Sequence, residues 1–256
     1  MSKLLKSTEA AEVLGVTPST VKRWADEGLL PHVKTAGGHR RFRKADLHRF
    51  SQDDSSFAVT WADKLLRAGN PYYLRSELLG LRAQRDSWCE VADDLGSALV
   101  EIGQRWANGG LSIHEEHMAT ENLRRALASC ADAMPLARDA RNCVLVVAEG
   151  DEHTLGLSML EPCLREFGWN TPWLGRKTPL TALTRYIQST QPKGVAISAS
   201  AFSQSPDRLE KIAHEVSQVC DSVSSTLLFG GAGEWPQKLP YGHRIHHFKE
   251  LQSLSI

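Results

Sequence analysis

The last 120 residues alternate between short apolar runs and helical patterns, and this alternation constrains the fold more than any other feature. The apolar runs are typical of buried strands and cover residues 143–148, 170–175, 194–198 and 226–229. Patterns of helical period separate them, at residues 155–167, 179–189 and 207–219. Regular alternation of this kind predicts a doubly wound parallel sheet. We therefore predict an α/β domain over residues 141–256, with a Rossmann-like fold.

Polar and small residues collect just after the predicted strands. They are Asp151, His153, Gly156, Ser198, Ser200, Gly230 and Gly231. The carboxyl ends of parallel strands meet at one edge of the sheet, where open α/β folds bind ligands. Asp151 can hold one imidazole nitrogen of His153 and leave the other for a metal, and Gly156 allows close approach of a large flat ligand. The first turn lacks G-x-G-x-x-G, which disfavours a dinucleotide site.

Helical patterns dominate residues 57–138, after a Ser- and Asp-rich linker at 51–56. They predict a four-helix bundle, with Leu74, Leu78, Leu79 and Leu81 on one buried face. Trp106 should end one helix, and Glu116-His117 should lie in the first turns of the next. The spacing alone is more typical of a helix end that packs on the core than of a binding site.

The first 52 residues combine two short helices, a tight turn and a Gly-Gly-His-Arg-Arg-Phe-Arg segment. This order predicts a helix-turn-helix with a basic hairpin wing, and it resembles the DNA-binding domain of the MerR family. Residues 1–50 hold ten Lys and Arg against five Asp and Glu, although the whole chain is neutral. The predicted DNA-contacting residues are Thr17, Ser19, Thr20, Lys22, Arg23, His39, Arg40, Arg41 and Arg43. Double-stranded DNA is therefore the expected partner.

Five cysteines are scattered without C-x-x-C spacing, which disfavours a disulfide framework or a zinc site. The sequence shows neither a leader peptide nor an apolar run of the ~18 residues that a membrane helix requires. These features lead us to expect a cytoplasmic protein with no membrane partner.

Four motifs in order support a wider resemblance. Asp151-x-His153-x-x-Gly156, Ser198 after 41 intervening residues, and Gly230-Gly231 resemble the cobalamin-binding domain of methionine synthase and methylmalonyl-type mutases. Trp106, nine residues and Glu116-His117 resemble the helical cap of cobalamin-dependent MerR-type regulators. With the basic head, the chain is similar to the CarH/LitR group of light-responsive repressors.

This resemblance implies that His153 is the lower axial ligand of the cobalt in adenosylcobalamin, oriented by Asp151. Ser198 and Ser200 would flank the cofactor's nucleotide tail, and Gly230 and Gly231 would leave room for it. The upper face of the cofactor would be covered by Trp106, Glu116 and His117. It implies a non-enzymatic transcriptional repressor whose assembly into a dimer or tetramer, and whose DNA affinity, follow the bound cofactor and light.

One departure leaves an alternative open. In the family a histidine follows the tryptophan and captures cobalt after light, whereas this chain has Ala107. The alternative is a cobalamin-independent MerR-type regulator with a degenerate sensor domain, controlled by a partner protein or another tetrapyrrole. A third hypothesis is a corrinoid methyl carrier, which the predicted DNA-binding domain disfavours.

Overall fold

A computed structural model of the chain describes residues 4–14, 18–26, 30–35, 37–44, 46–47, 60–203 and 205–254. The described chain forms two compact units, residues 1–60 and residues 61–256. The predicted linker at 51–56 lies outside the described residues. No helix of the described part is long and apolar enough to cross a membrane.

The first unit contains two helices and a small antiparallel sheet. Its helices are α1 (Ser7–Leu14) and α2 (Pro18–Asp26), and its strands are β1 (Leu4–Leu5), β2 (Val33–Lys34) and β3 (Arg40–Arg43). Strand β3 pairs with both of the others. Ala10, Val21, Leu30, Phe42 and Leu47 are buried together and hold the helices against the sheet. The polar faces of α2 and β3 therefore remain at the surface.

The second unit begins with the predicted four-helix bundle. Its helices are α3 (Trp61–Arg67), α4 (Pro71–Arg82), α5 (Trp88–Ala107) and α6 (Ile113–Asp132). Helix α6 begins at a capping box, in which the side chains of Ser112 and Glu115 bond each other's backbone N–H groups. The prediction that Leu79 shares the buried face of α4 was wrong, because Leu79 is 42% exposed. The buried positions of α4 are 74, 78 and 81, and residue 79 lies about 100° around the helix from 78.

An α/β layer follows the bundle. Its strands are β4 (Cys143–Val147), β5 (Trp173–Gly175), β6 (Gly194–Ser198), β7 (Thr226–Gly230) and β8 (His243–Arg244). Its helices are α7 (Leu155–Glu166), α8 (Leu180–Thr190) and α9 (Pro206–Ser222), followed by a 3₁₀ helix at Phe248–Ser253. All strand pairs are parallel, in the order β5-β4-β6-β7-β8. The predicted fold class is thus confirmed, although the sequence pattern missed β8 and the 3₁₀ helix.

Both faces of this sheet are covered. Helices α8 and α9 pack on one face, while α7 and the bundle share a single apolar core on the other. Glu166 joins α7 to the bundle by accepting hydrogen bonds from the Arg82 guanidinium and from the backbone N–H of Trp88. Strand β4 lies between β5 and β6 in the sheet, so the connections that follow β4 and β6 lead to opposite sides. The loops after β4 and β6 meet at this switch point, where open α/β sheets bind ligands.

Candidate functional site

A buried carboxylate organises the switch point. The side chain of Asp151 is only 1% exposed, and its Oδ1 accepts hydrogen bonds from the backbone N–H of His153 at 2.9 Å and from its Nδ1 at 2.8 Å. Its Oδ2 accepts from the backbone N–H of Ser200 and from the hydroxyl of Ser203. Donors from the β4 and β6 loops thus converge on one carboxylate, which fixes the imidazole of His153 in place.

These hydrogen bonds also set the charge of Asp151. Burial acts to raise its pKa, but the bonds from Ser203, Ser200 and His153 outweigh burial and lower the pKa to about 2. The carboxylate therefore remains ionised and accepting at neutral pH. Because it accepts from Nδ1, that nitrogen carries the imidazole proton, and Nε2 of His153 keeps its lone pair for a metal.

The imidazole of His153 projects into open space. Its side chain is 60% exposed, and no hydrogen bond to Nε2 occurs among the described residues. The hydroxyl of Ser200 lies 3.0 Å from Nδ1, and the Phe202 ring lies 5.8 Å from the imidazole between centroids. The Ser200 hydroxyl therefore lies on the Nδ1 side of the ring and does not occupy Nε2.

A cleft of about 660 Å³ separates His153 from the helical bundle. One wall comes from α6 and the other from the loops after β4 and β5. The lining residues are Glu116, His117, Thr120, Glu121, Arg124, Glu152, His153, Thr154, Leu155 and Arg176. Three carboxylates, two guanidinium groups and two imidazoles give this cleft both hydrogen-bond donors and acceptors.

The predicted cap residues separate into two places. Glu116 and His117 lie on the α6 wall of the cleft, and Glu116 Oε2 is 2.5 Å from Nδ1 of His117. Trp106 lies in the last turn of α5, is 45% exposed and is not among the residues that line the cleft. The structure thus brings Glu116, His117 and His153 to one cleft and leaves Trp106 outside it.

A second, more apolar cavity of about 490 Å³ opens beside the first, between α7 and the sheet. Four of the predicted site residues, Gly156, Ser198, Gly230 and Gly231, line it together with apolar side chains such as Leu160 and Leu228. A Cβ atom on Gly156 would lie 3.4 Å from the Ser198 hydroxyl oxygen, which is a van der Waals contact. Small and apolar residues thus line a slot between α7 and the sheet.

Sequence reasoning missed several residues at and around the site. Ser203 follows β6 and could have been found by the same strand-end argument that selected Ser200. Arg244, at the end of β8, and Ile245, directly after it, line the slot, and Arg244 donates to the carbonyl of Phe229 at 3.1 Å. A two-residue strand carries no periodic signal, so nothing in the sequence pattern places these two residues at the slot.

The first unit presents a separate basic surface. A groove of about 430 Å³ is lined by Lys6, Ser7, Thr8, Lys22, Gly38, His39, Arg40 and Arg41. Of the other predicted DNA contacts, Ser19 and Arg43 are exposed. Thr17 lies outside the described residues, as do the side chains of Thr20 and Arg23. Four Lys and Arg residues therefore line one groove between α1, α2 and the wing.

Comparison with known proteins agrees with both surfaces. Residues 4–53 match a family described as a helix-turn-helix domain, and residues 65–130 match a family described as a B12 binding domain. The chain is 30% identical to the HTH-type transcriptional repressor CarH of Myxococcus xanthus over 163 residues, which are 61% of this chain and 53% of CarH. It is 28% identical to the repressor CarA of Myxococcus xanthus over 135 residues, which are 53% of this chain and 44% of CarA.

The predicted resemblance to cobalamin-dependent helix-turn-helix regulators is confirmed. The chain spans about half the length of the curated relatives it matches. The second unit also resembles the monomethylamine corrinoid protein of Methanosarcina barkeri, with a TM-score of 0.57 and 15% identity over 78% of this chain and 97% of that one. This likeness shows the fold alone.

The described residues fit a B12-type ligand. Cobalamin carries amide side chains around its ring, and amides need both donors and acceptors, which the cleft supplies. The exposed Nε2 of His153 and the neighbouring apolar slot match a metal centre and a heterocyclic tail.

Proposed function

We propose that this chain is a DNA-binding transcriptional regulator, a repressor, whose DNA affinity is controlled by cobalamin bound between the bundle and the sheet. The observation that carries the proposal is the Asp151–His153 pair, whose Nε2 projects into a large cleft roofed by a helix of the matched B12 binding domain. The match to a helix-turn-helix domain and the basic groove support the DNA-binding part.

Each part of the site has an assigned role in this proposal. His153 would ligate cobalt through Nε2, while Asp151 and Ser203 would hold the imidazole and its proton on Nδ1. The slot beside Ser198, Gly230 and Gly231 would take the cofactor's nucleotide tail. When bound, cobalamin supplies a cobalt centre that accepts an axial nitrogen and, in its adenosyl form, a light-sensitive cobalt–carbon bond.

The adenosyl form and a response to light are the finer part of the proposal. Glu116 and Thr120 lie on the α6 wall, across the cleft from His153, and offer an acceptor and a hydroxyl to a polar upper group. A single small head neutralises few phosphates, so tight DNA binding needs several heads held together in a homo-oligomer. We expect bound adenosylcobalamin to favour this assembly and green light to reverse it, which gel filtration in the dark and after illumination would show.

The axial ligand is tested by titrating the purified full chain with adenosylcobalamin in the dark and recording visible absorption. His153→Ala should alter the spectrum of the bound cofactor and weaken binding by about 10- to 100-fold, because an axial nitrogen is lost. His214→Ala, on the exposed side of α9, is the matched control and should behave like the wild type. Identical spectra and affinities for the His153 variant and the control would reject the assignment.

The same titration addresses the alternative. A wild-type chain that takes up no cobalamin while still binding DNA would favour a cobalamin-independent regulator with a degenerate sensor domain. The mixed donor and acceptor lining of the cleft argues for uptake.

A further inference from the structure

The apolar slot contains a charged side chain that the proposed cobalt site does not use. Arg244, at the end of β8, lines the slot together with the glycine pair Gly230 and Gly231. The other lining residues are small or apolar, apart from His246. Among the described residues that line the slot, Arg244 is therefore the one whose side chain carries a permanent positive charge.

The guanidinium group of Arg244 lies near the carboxyl edge of the sheet. It donates to the backbone carbonyl of Phe229 at 3.1 Å and to that of Gly231 at 2.5 Å. In the register of β7 and β8, Arg244 is opposite Phe229, one residue before β7 ends at Gly230. These contacts hold the charged group beside the glycine pair, at the edge where parallel sheets bind ligands.

No carboxylate pairs with Arg244 within the described part of the chain. Both of its hydrogen bonds there go to backbone carbonyls, and a guanidinium has further N–H donors. Burial lowers the pKa of Arg244 because its charge loses contact with water, and the more distant charge of Glu250 offsets only part of this effect. The Glu250 carboxylate itself accepts from the backbone N–H groups of His246 and His247. A partly desolvated cation with spare donors is therefore available to an anionic ligand.

We propose that Arg244 binds the phosphodiester of the cofactor's nucleotide tail, so that the slot selects corrinoids whose tail carries a phosphate. This inference rests on the proposed function, since it needs a corrinoid held on His153. The phosphodiester joins the corrin ring to the heterocycle of the tail and carries a full negative charge. The apolar lining suits the heterocycle, while the guanidinium suits the phosphodiester because arginine donates two N–H groups to phosphate oxygens.

The proposal makes affinity depend on the tail in a way that an apolar slot alone would not. A corrinoid without a phosphate leaves Arg244 as it is in the free protein, with its charge unpaired. A phosphate-bearing tail replaces water around the guanidinium with charge-assisted hydrogen bonds, which are stronger than neutral ones. The contribution of Arg244 should therefore appear with phosphate-bearing corrinoids and vanish without the phosphate, whatever binds at the cobalt.

The test compares three corrinoids that differ only in the tail, each titrated into the purified full chain in the dark with visible absorption as the readout. Adenosylcobinamide has no phosphate, adenosylcobinamide phosphate has a phosphate but no heterocycle, and adenosylcobalamin has both. Arg244→Gln should weaken the binding of the two phosphate-bearing corrinoids by about 10- to 100-fold, because a charge-assisted hydrogen bond is lost. Its affinity for adenosylcobinamide should equal that of the wild type.

Two further variants serve as controls. Arg244→Lys keeps the positive charge without the paired N–H groups, so it should retain part of the affinity for the phosphate-bearing corrinoids. Lys238→Gln removes a positive charge from an exposed residue of the same unit that does not line the slot, and it should match the wild type with all three corrinoids. Circular dichroism of each variant establishes that it is folded.

The outcomes separate this inference from the proposed function. An equal loss of affinity for all three corrinoids in Arg244→Gln would show that Arg244 only supports the fold of the slot, and would overturn the phosphate assignment. So would a wild type that binds adenosylcobinamide phosphate no more tightly than adenosylcobinamide, which leaves the His153 assignment intact and needs no variant. A wild type that binds none of the three corrinoids would overturn the proposed function as well.

Discussion

Gly231 shows how a single residue shapes the site. Its φ of +82° lies in the left-handed region, and a Cβ atom there would come within 2.1 Å of the Ala199 carbonyl oxygen and 2.8 Å of the Ser198 hydroxyl. The adjacent Gly230 has no atom within 4 Å of its corresponding position, and its φ is not positive. The close approach of the β6 and β7 loops, which forms one end of the slot, therefore depends on Gly231 and not on Gly230.

Gly231→Ala should destabilise the cofactor-free protein, whereas Gly230→Ala should not. The left-handed backbone costs an alanine about 1–3 kcal/mol, and the contact with the Ala199 carbonyl forces the loop to shift as well. Urea unfolding of the two variants without cofactor measures the difference in the free energy of unfolding. Equal stability of the two variants would show that the β6 and β7 loops separate without cost, which would contradict a tight contact between them.

Individual site residues could be predicted from the sequence where they follow a strong strand pattern. Asp151 and His153 come directly after the apolar run of β4, and the structure joins them as that position predicted. Ser203 and Phe202 were missed because a loop's hydrogen bonds depend on its folded path and not on a periodic pattern. Trp106 was predicted to lie with Glu116 by resemblance to the family, but it is not among the residues that line the cleft.

Helix α7 carries an unusual polar group in its interior. Glu161 is buried, and its Oε1 accepts from the Thr171 hydroxyl at 3.0 Å and from Nε1 of Trp173 at 2.9 Å. These bonds attach the edge strand β5 to α7. Burial raises the pKa of Glu161, and the bonds from Trp173 and Thr171 offset only part of that effect. The ionised carboxylate is therefore less stable in the folded protein than in water.

Glu161→Gln should stabilise the protein at pH 7 but not at pH 4. The folded pKa is raised above that of the unfolded chain, so stability is fully present below the unfolded value and falls as pH rises through the folded pKa. Glutamine keeps a carbonyl oxygen for Thr171 and Trp173 but has no charge to bury. Urea unfolding of the variant and the wild type at both pH values measures this effect. A variant less stable than the wild type at pH 7 would contradict the assigned cost of ionisation.

At the element scale, long periodic segments were predictable and short ones were not. Helices α5 and α6, at 20 residues each, and the fully buried strands β4 and β6 follow their sequence patterns closely. Strand β8 has two residues, and the 3₁₀ helix after it is held by hydrogen bonds that the backbone N–H groups of Phe248 and Lys249 donate to the Asp93 carboxylate. Such elements depend on distant partners that a local pattern does not reveal.

The whole molecule combines a basic groove in one compact unit with a polar cleft in the other. A ligand in the cleft contacts both α6 and the sheet loops, so it can favour one packing of bundle and sheet over another. None of the residues that line the groove lies in the cleft, so cofactor control of DNA affinity requires this packing to change how many DNA-binding heads act together. We therefore propose that cofactor binding in the second unit is coupled to DNA binding by the first.

This coupling is measured by the DNA affinity of the full chain with and without adenosylcobalamin. A duplex selected by the protein from a random pool serves as the operator, and fluorescence anisotropy in the dark gives the two dissociation constants. We expect bound cofactor to tighten DNA binding by about 5- to 150-fold, and His153→Ala to abolish this gain. An affinity for DNA that is the same with and without cofactor, in protein that has bound it, would exclude the coupling.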